Sequence, residues 1–403
     1  MKYLPIPIAL LEVGKPLPVD VLSDTGQLLL RRGQPIVSEQ HRDKLYSFKA
    51  CTHLSDGQAW QRAYERMVHE MLLGGADVGA VARASMPSEI LDSDYTMGLE
   101  QSGADWLDLQ QGLRGVLYQG GLGINPLERL KAMEEKVLGM LRQDSDASLF
   151  ALFQALTDNS LGYCATHALL CAVICELTAT KLGLPGPQRK PLIAAALTMN
   201  IGMARDQDLM ARQSTPINDW QRTLVAEHAA RSEEILRVLG VNDPQQLDLV
   251  RWHHVPDAPQ ALPASQTSRQ LLHLADVFIA RVAARTTRAA QSPVTAVKSM
   301  VFGGGADLGQ GSAMAQAVGF YPPGSYVKLV NGEIAVAVQR GERANTPWVI
   351  SIVGRDGMPV STYQCKTTAE PRNAISAAVN FETVKVLVNA DKVKKARERI
   401  PKA

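Results

Sequence analysis

The sequence predicts a mainly α protein with a small β-rich lobe at its N-terminus and a strand-rich tail at its C-terminus. Short apolar runs alternate with turn signals over roughly the first fifty residues, which is strand patterning. Helical spacing of apolar residues dominates from about Asn125 to Thr287. After Gly303 the period changes to short β-rich runs separated by Asn-Gly and Asp-Gly. A chain of 403 residues is long enough for two or three domains and at least one sizeable core.

In the N-terminal lobe, Asp24-Thr25-Gly26 is a turn ahead of QLLLRRG, and Ser38 caps a short helix to about Leu45. Gln58 to Leu73 is patterned as a helix, whereas Gly74 to Ala104, with Pro87 and many small residues, reads as a linker with little core of its own. Asn125-Pro126 starts one helix and Ser148 another. The segment CATHALLCAVICELTATKLG ends at Gly183 with a Gly-Leu-Pro-Gly-Pro stop. Asn218 with Gln221 forms a capping box and opens a helix to Gly240. Asp243-Pro244 opens the next, ending near Val255, and Thr267 or Ser268 opens the last long one. YPPGSYVKLVNGEIAVAVQ, WVISIV and GRDGMPVSTY read as strands.

Lys plus Arg (42) nearly balance Asp plus Glu (40), so a net charge of +2 gives no broad surface for nucleic acid or membrane. The local run Lys392 to Lys402 reads as a solvated tail. No stretch reads as long and apolar enough to span a bilayer, and the N-terminal PIPIALLEV is proline-broken and lacks a signal-peptide cleavage pattern. Five cysteines argue against a disulfide framework and fit a reducing compartment, so the expected location is the cytoplasm.

Several polar residues fall on apolar helical faces. His228 lies in a stripe with Trp220, Leu224, Ile235 and Leu239, and Asp276 shares a face with Leu272, Ala275 and Ile279. An inward carboxylate is costly unless a cation or several donors satisfy it. His167, His253 and His254 also take inward phases. Four histidines and one aspartate spread over four helices are either core residues satisfied by hydrogen bonds or the ligands of a first-row metal ion. Cys164, Cys171 and Cys175 share one helical face near His167, but one face cannot wrap a tetrahedral ion, and buried cysteine packs as a small hydrophobe.

The order of these residues resembles the HD-GYP family, the branch of HD-superfamily phosphohydrolases whose active members hydrolyse cyclic di-GMP. The likeness covers about 150 to 335. His167 is similar to the first histidine ligand, and HAARSEEIL to the family's His-Pro-x-x-Gly-x-x-Ile-Leu segment with its ligand at His228. The paired histidines fall at His253 and His254. LADVFIARVAARTTR resembles the Ala-Asp-Val-Phe-x-Ala stretch, with a ligand at Asp276 and phosphate-side arginines at Arg285 and Arg288. FYPPGSYVKLVNGE is similar to the closing segment, and VLSDTGQLLLRRGQPI to a common leader. The resemblance implies an HD-type helical bundle at 126–335, preceded by a β-rich lobe at 1–55 and a helical segment with linker at 56–125. A strand-rich tail with a basic end follows at 336–403.

The chain departs from the active pattern. LTMNIGM stands where active members carry Leu-His-Asp-Ile-Gly-Lys, so Met199, Asn200 and Met203 replace the His-Asp pair and the lysine. Ala261-Leu262-Pro263 replaces Gly-Tyr-Pro, Val255 replaces a glutamate, and Tyr163 stands where some members with a third metal have glutamate. The missing aspartate bridges two metals in the active family, and a neutral amide cannot do so. The resemblance therefore implies no intact catalytic residue and at most one divalent ion, iron or manganese, or none. It implies a regulatory or partner-binding module, with cyclic di-GMP as a candidate ligand at Arg285 and Arg288 and an unidentified protein partner. A residual metal-dependent phosphohydrolase and a scaffold with neither metal nor nucleotide are the competing readings.

Overall fold

The computed structural model describes residues 3–73, 84–91, 106–120, 125–158, 161–286, 288–302 and 308–400. The fold is mainly α with β-rich parts at both ends, as the sequence predicts. Two compact units are present: Met1–Gln119 with Gly123–Ala132, and Gly120–Leu122 with Met133–Ala403. Most of the expected linker, 74–83 and 92–104, lies outside the described residues.

In the first unit, strands β1 (Tyr3–Pro5), β2 (Val21–Leu22), β3 (Leu28–Leu30) and β4 (Cys51–His53) form an antiparallel sheet in the order β1-β4-β2-β3. Gly26, at φ 86°, turns β2 into β3. Ser38 caps the helix Glu39–Ser47 by accepting from His41 N. Val21, Leu30, Ile36 and Leu45 pack with Ala59, Trp60 and Ala63 of the helix Leu54–Leu73. Of the linker, Ile90 joins this core, and Trp60 Nε1 donates to Pro87 O at 2.8 Å.

The second unit is built around the helix Tyr163–Lys181, against which pack Ser145–Ala155, Gly186–Thr198, Ala204–Arg212, Gln266–Val282 and Leu308–Val318. Neighbours on several sides explain why this helix is apolar all round. One correction follows, because by length and composition it could cross a membrane, contrary to the sequence expectation that no stretch could. Its window is 83% buried inside the protein, which is the setting of a core helix.

The capping box at Asn218 and Gln221 forms as expected and opens Asp219–Val238. The buried stripe of that helix is Leu224, His228, Ser232 and Leu236, while Trp220 is exposed. Other starts shift. Asp144, rather than Ser148, caps Ser145–Ala155, and the last long helix opens at Gln266. Pro293–Phe302 and Leu308–Val318 are helices that the sequence did not disclose, because their Gly, Ala and Val content carries no helical period and packing decides them.

Strands β5 (Tyr326–Leu329), β6 (Ile334–Gln339), β7 (Trp348–Val353), β8 (Cys365–Thr367) and β9 (Ile375–Val379) form an antiparallel sheet in the order β8-β7-β6-β5-β9. Alternation along β6 sends Val336 and Val338 to one apolar cluster and Ala335 and Ala337 to another. GRDGMPVSTY is mainly a turn, closed by Gly354 N donating to Met358 O, and pairs with the sheet only through the bridge of Pro359 to Val353. The basic tail is also corrected. Residues Ala390–Arg397 form a helix whose Val393 and Ala396 pack on the sheet, and Arg397 pairs with Asp144 at 3.0 Å.

Gly202 sets the closest helix approach beside the histidines. A Cβ there would lie 2.9 Å from both His228 O and Ser232 N, and its own N–H donates to Ser232 Oγ at 2.9 Å. Gly202→Ala should therefore destabilise the protein by about 1–3 kcal/mol, through overpacking against backbone. A lowered urea midpoint checks this, and an unchanged midpoint would show that the two segments can separate.

Candidate metal centre

The helix Gln266–Val282 presents Arg269, His273 and Asp276 at helical spacing on one side, and each fastens a different part of the second unit. Arg269 forms a buried ion pair with Asp248 and donates to Pro256 O and Leu262 O. Asp248 also accepts from Leu262 N at 2.7 Å, so the loop after the histidine pair is held at both ends. His273 Nδ1 donates to His253 O at 2.8 Å. Asp276 Oδ1 lies 2.9 Å from His167 Nε2, and Oδ2 lies 3.8 Å from His254 Nδ1.

The structure thus brings His167, His228, His253, His254 and Asp276 into two adjoining groups. Ligand atoms of His228, His253 and His254 all lie within 4.8 Å of one another, and so do those of His167, Cys171 and Asp276. His254 corrects the expectation of four inward histidines, since its side chain is 44% exposed. Consecutive residues at a helix end point about 100° apart, so only one of the pair can face fully inward. Cys171 was set aside in the sequence as packing, although its place four residues after His167 was the available signal. Burial pushes its thiol well above the ordinary range, so it stays protonated.

Hydrogen bonds fix the two buried rings. His228 Nδ1 and His253 Nδ1 each lie 2.7 Å from a backbone carbonyl, of Val225 and Val250 respectively, so both carry their proton at Nδ1. Burial, with the neighbouring His254, pushes His228 down to about 4 and His253 down to about 3, so both rings are neutral near pH 7. Each Nε2 is then a bare lone pair, and the two face each other at 3.3 Å. His254 Nε2, 3.3 Å from His228 Nε2, can supply a proton to that contact but not to the one between His228 and His253. Two converging lone pairs fit a cation, and Nδ1 held by backbone carbonyl is the usual outer support of a metal-bound imidazole.

The segment from Met199 to Met203 packs against the helix that carries His228. Met199 and Asn200 end the helix Gly186–Thr198, two to three residues before Gly202 and its contact with His228. Both are buried, and Asn200 Oδ1 has no hydrogen-bond partner. A further buried acceptor also fits a cation better than an apolar core. Burial works against the charge of Asp276, but the hydrogen bond from His167 and the neighbouring imidazoles hold its acid well below the usual carboxylate range.

Arg285 and Arg288 do not sit one turn apart on a helix as expected. The helix ends at Val282, because Ala283 has extended geometry, and the two arginines pair their backbones across a tight turn. The Arg285 guanidinium lies 5.5 Å over the Tyr163 ring, while Arg288 Nη2 reaches back to Ala280 O. Arg288 remains exposed and Arg285 is half-buried.

Among solved structures, the chain is similar to Bd1817, described as a HDG"Y"P protein from Bdellovibrio bacteriovorus, at 14% identity with a TM-score of 0.43. The match covers 78% of this chain and 98% of that one. No protein-family model and no curated protein matches the chain.

The lowered histidines give metal-free protein a defined pH dependence. An unfolded imidazole takes up its proton near 6.5, whereas His228 and His253 resist to about 4 and 3 in the folded state. Their contribution is therefore fully present above about 6.5 and is lost as pH falls from there towards 3. Asp276 adds a loss in the same direction at lower pH, because its folded carboxyl titrates below its unfolded value. In chelator, the urea midpoint should drop between pH 7.5 and 5, and His253→Gln should flatten that drop. A midpoint that rises on acidification would contradict the ring states assigned here.

Proposed function

We propose that the chain is a degenerate HD-GYP-type domain protein that holds one divalent metal ion and serves signalling as a regulatory or partner-binding module instead of hydrolysing cyclic di-GMP. The observation that carries this reading is the 3.3 Å contact between the bare Nε2 atoms of the buried His228 and His253 rings. His228, His253 and His254 would hold the ion, and Asp276 would supply the nearby negative charge. When bound, such an ion supplies Lewis acidity and neutralises phosphate charge.

The residues around the histidines lack what hydrolysis requires. Asn200 is neutral and cannot bridge two dications, and the buried thioethers of Met199 and Met203 bring no charge towards phosphate. Asp276, the carboxylate of this centre, is tied to His167 and is poorly placed to take a proton from an attacking water. Arg285 is engaged with Tyr163, so a nucleotide phosphate would meet mainly the exposed Arg288. Cyclic di-GMP would then bind weakly and with marked salt dependence.

A residual metal-dependent phosphohydrolase is the second reading. It is favoured by the 44% exposure of His254, which opens the candidate ion site to solvent and to a phosphoester. Purified protein should contain about one divalent ion per chain, lost in a His228→Ala, His253→Ala variant. With added Mn²⁺ or Fe²⁺, cyclic di-GMP turnover should not exceed the protein-free background. Turnover that disappears on Asp276→Ala would favour the residual hydrolase and sink the regulatory reading.

A further inference from the structure

We infer that Tyr163 limits the centre to a single ion, because its hydroxyl locks His167 into the tautomer that donates to Asp276 and so withdraws both residues from a second ion. The inference rests on the metal reading of His228, His253 and His254 and deepens it.

The polarity of the chain of contacts can be worked out from its charged end. A carboxylate can only accept, so the 2.9 Å contact makes His167 Nε2 the donor to Asp276 Oδ1. Burial pushes the Tyr163 hydroxyl up to about 12, so it keeps its proton. That proton faces His167 Nδ1 at 2.8 Å. Nδ1 is therefore the accepting nitrogen and Nε2 carries the hydrogen, which it donates to Asp276 Oδ1 at 2.9 Å. Every contact from Tyr163 through His167 to Asp276 then runs donor to acceptor in one direction.

His228 and His253 show the opposite state. Their Nδ1 atoms donate to backbone carbonyls and leave Nε2 bare, as a ligand requires. For His167 to present a bare Nε2, its proton would have to move to Nδ1 and point at the phenol. The Tyr163 hydroxyl would then need a new acceptor in a site where the residue is only 8% exposed, and a stranded buried donor is costly. Two adjoining ligand groups thus divide into one that is electronically open to a cation and one that is closed.

Two measurements on the full chain test this. Long-range ¹H–¹⁵N spectra of metal-free protein, assigned with a His167→Asn variant, should show His167 as the Nε2–H tautomer, and Tyr163→Phe should move it away from that state. Titration calorimetry with Zn²⁺ or Mn²⁺ alone should give one site in the wild type and two in Tyr163→Glu, where an acceptor, paired by Arg285, replaces the donor. A His167 Nδ1–H tautomer in the wild type would overturn the inference, as would two ions in the wild type. A folded Tyr163→Glu that still takes one ion would overturn it too. No ion bound by either protein would instead sink the metal reading, and the inference with it.

Discussion

One buried carboxylate, Asp276, is the charge around which the histidines of the second unit are arranged. A lone anion in that position would be strongly unfavourable, so its neighbours must supply hydrogen and positive potential from several directions. His167 does so by a hydrogen bond from the Tyr163–Lys181 helix, while the His254 ring, at the end of the Pro244–Trp252 helix, comes within 3.8 Å. At the other end of the same helical face, Arg269 and Asp248 form a second buried pair that fixes the loop leading away from His253 and His254. The histidine pair is therefore positioned from one helix, by the Arg269–Asp248 ion pair and by the bond from His273 to His253 O. Removing Arg269 alone would leave Asp248 buried without its ion pair, a change of about 3–5 kcal/mol in comparable cases.

Several buried acceptors in this part of the unit are left without a proton to accept. His228 Nε2, His253 Nε2 and Asn200 Oδ1 all present lone pairs within buried surroundings, and the Nδ1 protons of the two rings are already used by backbone carbonyls. An apolar core would avoid such a surplus, and a phosphate site would have the reverse one. Acceptor excess without matching negative charge is the chemistry that suits one cation of modest charge demand.

Much of the architecture was legible in the sequence where local chemistry decides it. The capping box at Asn218, the cap at Ser38 and the alternation in IAVAVQ all formed as read, because each needs only neighbours within a few residues. The inward phase of His228 was also legible, although Trp220 and Ile235 were not the stripe that carried it. What escaped was decided at a distance. The bend at Ala283 separates Arg285 and Arg288 from their helix, the packing partner of Leu308–Val318 comes from far earlier in the chain, and the tail helix depends on a sheet. Cys171 escaped for a different reason: its side chain is ordinary for a core, and only the nearness of Asp276 gives it meaning.

The helix Ser145–Ala155 packs on its near neighbour Tyr163–Lys181, but its long-range side-chain bonds come from residues much later. Asp144 meets Arg397 across 253 residues, Asp146 meets Arg340 across 194, and Gln154 meets Gly324 across 170. Contacts of such sequence separation close large loops, and loops of that size slow a folding reaction because their entropy is lost before the contact repays it. On a ribosome, the histidine-bearing helices would emerge and wait, with their apolar faces partly uncovered, until the last strands and the Ala390–Arg397 helix arrived. The second unit should therefore mature as one late event, with a window of aggregation risk set by the time needed to synthesise about 250 residues at roughly 5–20 per second.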